Sequence, residues 1–236
     1  MKTLLGSCTK HKKDKFEKTP MYRSLLKDSI GDANNDYTFY EGDVNAVIKT
    51  SNKDNIGKHY NRVIKMGVDE GYDCVILMHD DVSVEDSFLR KKLETAFKEY
   101  DVVGIAGAKN IQIKEPALWH LMCNVEDWSG SVAHPEGPTQ IKTTYFGPTP
   151  ARCLVLDGLF MAIKVSSITD DIRFDENIPA IAHHYDIDFC LNANKHGLKL
   201  TTWPIWCVHQ SPGLSNFDQQ FTDSQTYFFN KWERKN

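Results

Sequence analysis

The 236-residue chain lacks a run of about twenty apolar residues, the length a membrane-spanning helix requires. Its most apolar stretch, Ala151 to Val165, is broken by Arg152 and Asp157. It has no basic excess: Lys plus Arg is 28, Asp plus Glu is 32, and the net charge of −4 argues against general nucleic-acid binding. None of the six cysteines forms a CxxC pair, which excludes a zinc ribbon and gives no sign of a disulfide framework. Cys74, Cys190 and Cys207 lie among apolar residues, as small buried hydrophobes do, so a reducing, cytoplasmic setting is expected. There is no Walker pattern, no GxGxxG, no repeat and no low-complexity tract. The opening MKTLLGSC has too short an apolar stretch for a signal peptide and reads as a mature strand.

What is present is the composition of an ordinary globular protein, 41% hydrophobic and 25% charged. The first half alternates strand and helix patterns. Strands are expected at Thr3–Cys8, Asp36–Glu41, Val44–Lys49, Cys74–Met78 and Val102–Ala106, and helices at Lys15–Ile30, Ile56–Glu70 and Glu85–Glu99. The all-apolar Cys74–Met78 suits a parallel strand covered on both faces. This order predicts an α/β/α sandwich with a mostly parallel central sheet. The stretch from Lys109 to Pro150 is rich in Pro, Gly and aromatics and reads as long loops with short strands. Later, Cys153–Leu156 and Leu159–Val165 read as strands, Tyr185–His196 as a helix, Leu200–Val208 as strand-like with Pro204 forcing an edge position or a break, and Phe217–Trp232 as a helix.

Four features carry chemistry. The buried-strand pattern at Cys74–Met78 runs into His79-Asp80-Asp81. Ligands of open α/β sheets bind beyond the carboxyl ends of strands, and paired carboxylates there call for a counter-charge such as a divalent cation. A solvated loop whose acids cap the next helix is the other reading. Asp186 and Asp188 open a helix, either as dipole-favoured caps or, for Asp186, as a general base facing a cleft. His209 ends an apolar strand, as a satisfied core residue or a metal ligand. The polar stretch Asn55-Ile56-Gly57 to Asn61 enters a helix whose backbone amides could hold phosphate.

In this order the motifs resemble a GT-A glycosyltransferase of the family 2 type, close to small bacterial and phage members. The resemblance runs over residues 3–213: Ser7-Cys8-Thr9, Glu41, Asn55-x-Gly57-x-x-x-Asn61, His79-Asp80-Asp81, Asp157-Gly158, Phe174-Asp175-Glu176, Tyr185-Asp186 and His209. It implies a GT-A (Rossmann-like) domain over 1–236, with a nucleotide-binding half, 1–108, and an acceptor-binding half, 109–236. It implies Mn²⁺ or Mg²⁺ on Asp81, completed by His209, and a nucleotide-sugar donor, a UDP-sugar by expectation. Thr9, Glu41, Asn55, Gly57, Asn61 and Asp80 would line the donor pocket, and Asp186 would be the base. The chain departs from the family pattern twice: His79 stands where many relatives carry Asp, and Tyr185 where many carry Glu.

A metal offsets the charge of a departing diphosphate, and a carboxylate takes the acceptor's proton. One displacement with one base inverts the anomeric carbon. On the acceptor side, Trp119 and Trp128 either stack on sugar faces or pack in the core, and Asp157-Gly158 would shape the cleft. A carbohydrate acceptor is expected. The alternatives are hydroxymethylated bases in DNA, a nucleotidyltransferase, and a catalytically dead sugar-nucleotide or glycan-binding module.

Overall fold

The computed structural model describes residues 1–26, 30–31, 36–39, 44–137, 139–211 and 217–233. In chain order the strands are β1 (Thr3–Cys8), β2 (Ile30–Gly31), β3 (Asp36–Phe39), β4 (Val44–Lys49), β5 (Cys74–Met78), β6 (Val82–Val84), β7 (Val102–Gly104) and β8 (Ala106–Ala108). They continue as β9 (Trp128–Pro135), β10 (Ile141–Gly147), β11 (Ala151–Cys153), β12 (Val155–Leu156), β13 (Phe160–Lys164), β14 (Leu200–Thr202) and β15 (Cys207–His209). The α-helices are α1 (Lys13–Phe16), α2 (Ile56–Asp69), α3 (Leu89–Ala96), α4 (Tyr185–Lys195) and α5 (Gln219–Trp232).

The large sheet has the order β11-β14-β7-β13-β5-β1-β4-β3-β2, and a smaller sheet runs β12-β8-β9-β15-β6 with β10 paired to β9. The expected parallel centre is there: β1 lies between β4 and β5, parallel to both. Beyond it the sheet is mixed. β13 sits antiparallel between β5 and β7, and only β14 on β7 restores a parallel pair. Helix α2 covers the parallel centre with Ile56, Tyr60, Val63, Ile64 and Gly67, a stripe at helical spacing. Its approach is close. A Cβ on Gly6 would meet Val63 at 2.8 Å, so this strand position needs glycine.

Several elements differ from the sequence expectation; the expected strand Cys153–Leu156 divides between β11 and β12, which lie in different sheets, and the helix expected over Glu85–Glu99 is only Leu89–Ala96. In place of one helix over Lys15–Ile30 there is the short α1, a π-helical turn at Tyr22–Leu26 and strand β2, with residues 27–29 outside the described set. Pro20 cannot donate to a continuing helix, and Thr19 draws the Tyr22 amide onto its hydroxyl. The 109–150 stretch holds the β9–β10 hairpin, eight and seven residues long, rather than only short strands. Val102–Ala106 splits at Ile105, so that β7 serves the large sheet and β8 the small one. Pro204 breaks Leu200–Val208 into β14 and β15, which belong to different sheets.

This topology assembles a cleft edge. β5 delivers His79, Asp80 and Asp81. Because β13 runs antiparallel beside β5, its leading turn Asp157-Gly158 arrives at the same edge, and the His79 amide donates to the Leu159 carbonyl (3.1 Å). β6 leaves directly from Asp81 and pairs with β15, with His209 opposite Val82. No helix among the described residues is long and apolar enough to cross a membrane.

Candidate active site

Asp81 Oδ1 is buried and accepts no aligned hydrogen bond, while His209 Nε2 stands 3.3 Å from it and His79 Nδ1 4.0 Å. Burial pushes the Asp81 carboxyl up, but His209 and His79 outweigh it and hold it below the usual carboxylate range. The His79 pKa is lowered as well, because burial favours the neutral ring against the pull of Asp81. One ligand atom from each of His79, Asp81 and His209 lies within 4.8 Å of the others, the one such trio among the described residues. Two imidazole nitrogens and an orphaned carboxylate oxygen fit a first-row divalent cation. His209 is itself held: His134 Nδ1–H donates to its carbonyl at 3.1 Å.

Asp80 points to the β1 end. Thr9, buried there, donates its hydroxyl to Asp80 Oδ2 at 2.5 Å and accepts from the His11 amide. The structure thus joins Thr9, Asp80 and the metal trio. It does not give Asn55, Gly57 and Asn61 free groups. Asn55 caps α2 by accepting from the Gly57 amide and donates to Ile178 O (2.9 Å). Asn61 accepts from the Phe174 amide and donates to Phe174 O and Glu176 Oε1. A Cβ on Gly57 would meet Phe174 at 2.9 Å. All three brace the Phe174–Ile178 stretch. Glu41 lies outside the described residues.

Asp186 stands at the start of α4. His184 before it adopts a left-handed backbone (φ 61°) and turns the chain inward, its Nδ1 2.5 Å from Ser224 Oγ on α5. The Gly158 amide donates to Asp186 Oδ2 at 2.9 Å. Burial, and then the Asp157 charge, push the Asp186 carboxyl up to about 7. Among the described residues it has no ion pair. Asp157 accepts from Trp119 Nε1 (2.8 Å) and from the Leu159 amide. Trp119 is only 5% exposed and packs edge-to-face on Phe146, so it reaches the cleft through its indole N–H and not an open ring face. Trp128 is half-buried and donates to His120 O.

Two residues that the sequence reading did not assign complete the arrangement. His79 joins the metal trio, and Tyr185, 2% exposed, puts its hydroxyl 2.6 Å from His79 Nε2 and donates to Gly158 O at 3.1 Å. The only sequence signal for either was that both positions depart from the family pattern. A metal-fitting trio and a half-buried carboxylate whose pKa is raised therefore share one edge, joined by Tyr185 and Gly158.

A model described as glycosyltransferase like family matches residues 39–232. The chain belongs to this family. It is a glycosyltransferase, with the GT-A type of fold that the motif order implied. Solved structures agree on the fold. S. aureus TarS 1-349 in complex with UDP-GlcNAc has a TM-score of 0.51 and 14% identity, over 94% of this chain and 61% of that one. The UDP complex gives the same TM-score and identity over 89% and 61%. A longer TarS structure also has a TM-score of 0.51 and 14% identity, over 89% of this chain and 37% of that chain. This glycosyltransferase thus spans about three fifths of TarS 1-349. No curated protein matches the chain by sequence.

Proposed function

We propose that this glycosyltransferase moves a sugar from a UDP-sugar to a hydroxyl of a carbohydrate acceptor, with inversion. The observation that carries the reading is the meeting, at one sheet edge, of the His79–Asp81–His209 trio and the half-buried Asp186, which has no ion pair among the described residues. Asp81 and His209 would hold Mn²⁺ or Mg²⁺, which when bound offsets the diphosphate's charge. Asp80, fixed by Thr9, takes the ribose side of the donor. That TarS structures of similar fold hold UDP-GlcNAc and UDP supports the uracil nucleotide.

Asp186 takes the proton of the acceptor hydroxyl as that oxygen bonds to the anomeric carbon and the bond to the diphosphate breaks. The Gly158 amide fixes the orientation of its carboxylate. Asp157, held by Trp119, lines the acceptor side beside Gly158. The net charge of −4 favours a carbohydrate over a DNA acceptor. Six free cysteines suit the reducing cytoplasm, where we place the protein.

The test is a thermal-shift panel of nucleoside diphosphates, nucleotide sugars and triphosphates, each with Mn²⁺ or EDTA. A ligand that binds the native state raises Tm by mass action. A Mn²⁺-dependent shift with UDP and its sugars is expected. Shifts with triphosphates alone would overturn the reading in favour of nucleotidyl transfer.

A further inference from the structure

Tyr185 has one O–H, and it is spent on the Gly158 carbonyl at 3.1 Å. With that O–H on Gly158, its oxygen, 2.6 Å from His79 Nε2, accepts, and this is the arrangement in which Nε2 carries the imidazole proton. In the neutral ring this leaves Nδ1 with a bare lone pair, and Nδ1 is the atom 4.0 Å from the orphaned Asp81 Oδ1. The tyrosine cannot easily swing away. Its ring is wedged edge-on against Tyr60 and tilted on Phe174, at 5.9 and 6.1 Å between centroids. Any Cβ at position 158 would collide with its hydroxyl, so Gly158 is what admits it. The two departures from the family pattern, at 79 and 185, are thus in direct contact.

We infer that His79 is a metal ligand through Nδ1 and that Tyr185 is the positioning residue that makes it one, by fixing the Nε2–H tautomer and the ring's orientation. A hydrogen-bonded partner on the far nitrogen is the usual support of a ligating histidine, and its loss lowers metal affinity about 10–100-fold. The centre then offers two imidazole nitrogens and one carboxylate oxygen, a set that tilts from Mg²⁺ toward transition-metal ions. The same tyrosine donates to the carbonyl of Gly158, the residue whose amide holds Asp186. The metal end and the base end thereby meet at one residue, Gly158, through the two peptides that flank it.

This inference rests on the metal-dependent reading, and its test separates the two. Mn²⁺ is titrated into the full chain by calorimetry, and pulsed electron paramagnetic resonance counts the imidazole nitrogens coupled to the bound ion. Two are expected in the wild type and one in His79→Gln. Tyr185→Phe should weaken Mn²⁺ at least about tenfold with its melting temperature close to wild type. Loss of the second nitrogen signal in His79→Gln supports the assignment even if Tyr185→Phe folds poorly. Two coupled nitrogens and unchanged affinity in His79→Gln would overturn it while leaving Asp81 and His209 as a metal site. An absence of Mn²⁺ binding by wild type, with or without UDP, would overturn the metal-dependent reading itself.

Discussion

Asp186 and Asp188 sit two residues apart in the first turn of α4, and the protein treats them oppositely. Asp188, 1% exposed, is paired with Lys231 at 2.7 Å and accepts from Trp232 Nε1 at 2.8 Å, both on α5. Lys231 also bridges to Asp175, which accepts from Tyr227. Burial works against the Lys231 charge, but Asp188 and Asp175 outweigh it and hold its pKa above the ordinary value. Burial pushes the Asp188 carboxyl up too, against the pull of Lys231. Asp186 has no ion pair among the described residues, only amides and a neighbouring carboxylate. A buried acid with its own lysine ties one helix to another. A half-buried acid without one is left able to exchange a proton or to meet a ligand's charge. Asp81 belongs with Asp186: its partners are the imidazoles of His209 and His79, not the permanent cation of a lysine.

The sharpest way to break this contrast is to neutralise each acid's role in turn. Asp186→Asn should cut turnover about 10²–10⁴-fold, as loss of a general base does, with donor affinity unchanged by calorimetry. Near-wild-type turnover would make Asp186 a helix cap like any other. Lys231→Met should leave turnover per folded molecule unchanged. It strands Asp188 in the interior and should lower stability by about 3–5 kcal/mol in urea unfolding.

Proton exchange sharpens the comparison further. With the Asp186 carboxyl at about 7, kcat/KM should rise with pH to a plateau above that value. This limb should vanish from the residual activity of Asp186→Asn. The smallest effect concerns stability. A carboxyl raised from 3.8 to about 7 makes the folded chain bind the extra proton, so stability is lost as pH climbs through that window. Asp186→Asn should therefore melt a few degrees higher than wild type at pH 8 and at the same temperature at pH 4. Equal melting at pH 8 would show that Asp186 is well solvated.

What was legible in the sequence was local. The apolar Cys74–Met78 run ending in acids, Asp186 at a helix start and His209 at a strand end each carry their signal within a few neighbours. What was not legible depends on partners far along the chain. Asn61 looked like a free polar group because its partner, Phe174, is 113 residues away. Tyr185 and His79 meet across 106 residues. The mixed sheet follows from β13 entering antiparallel next to β5, a choice of partner that alternating strand and helix patterns do not encode. Trp119 read equally as a stacking platform or as core, and its 5% exposure and its bond to Asp157 show a buried ring with one polar atom at the cleft.

The most direct test of the central claim, that Asp81, an acid without a lysine, serves a metal and through it the nucleotide, is calorimetric titration of UDP into the full chain with Mn²⁺ and again with EDTA. The account predicts binding that depends on Mn²⁺ and is lost in Asp81→Asn. Equal UDP affinity in EDTA, or an undiminished Mn²⁺ dependence in Asp81→Asn, would contradict it.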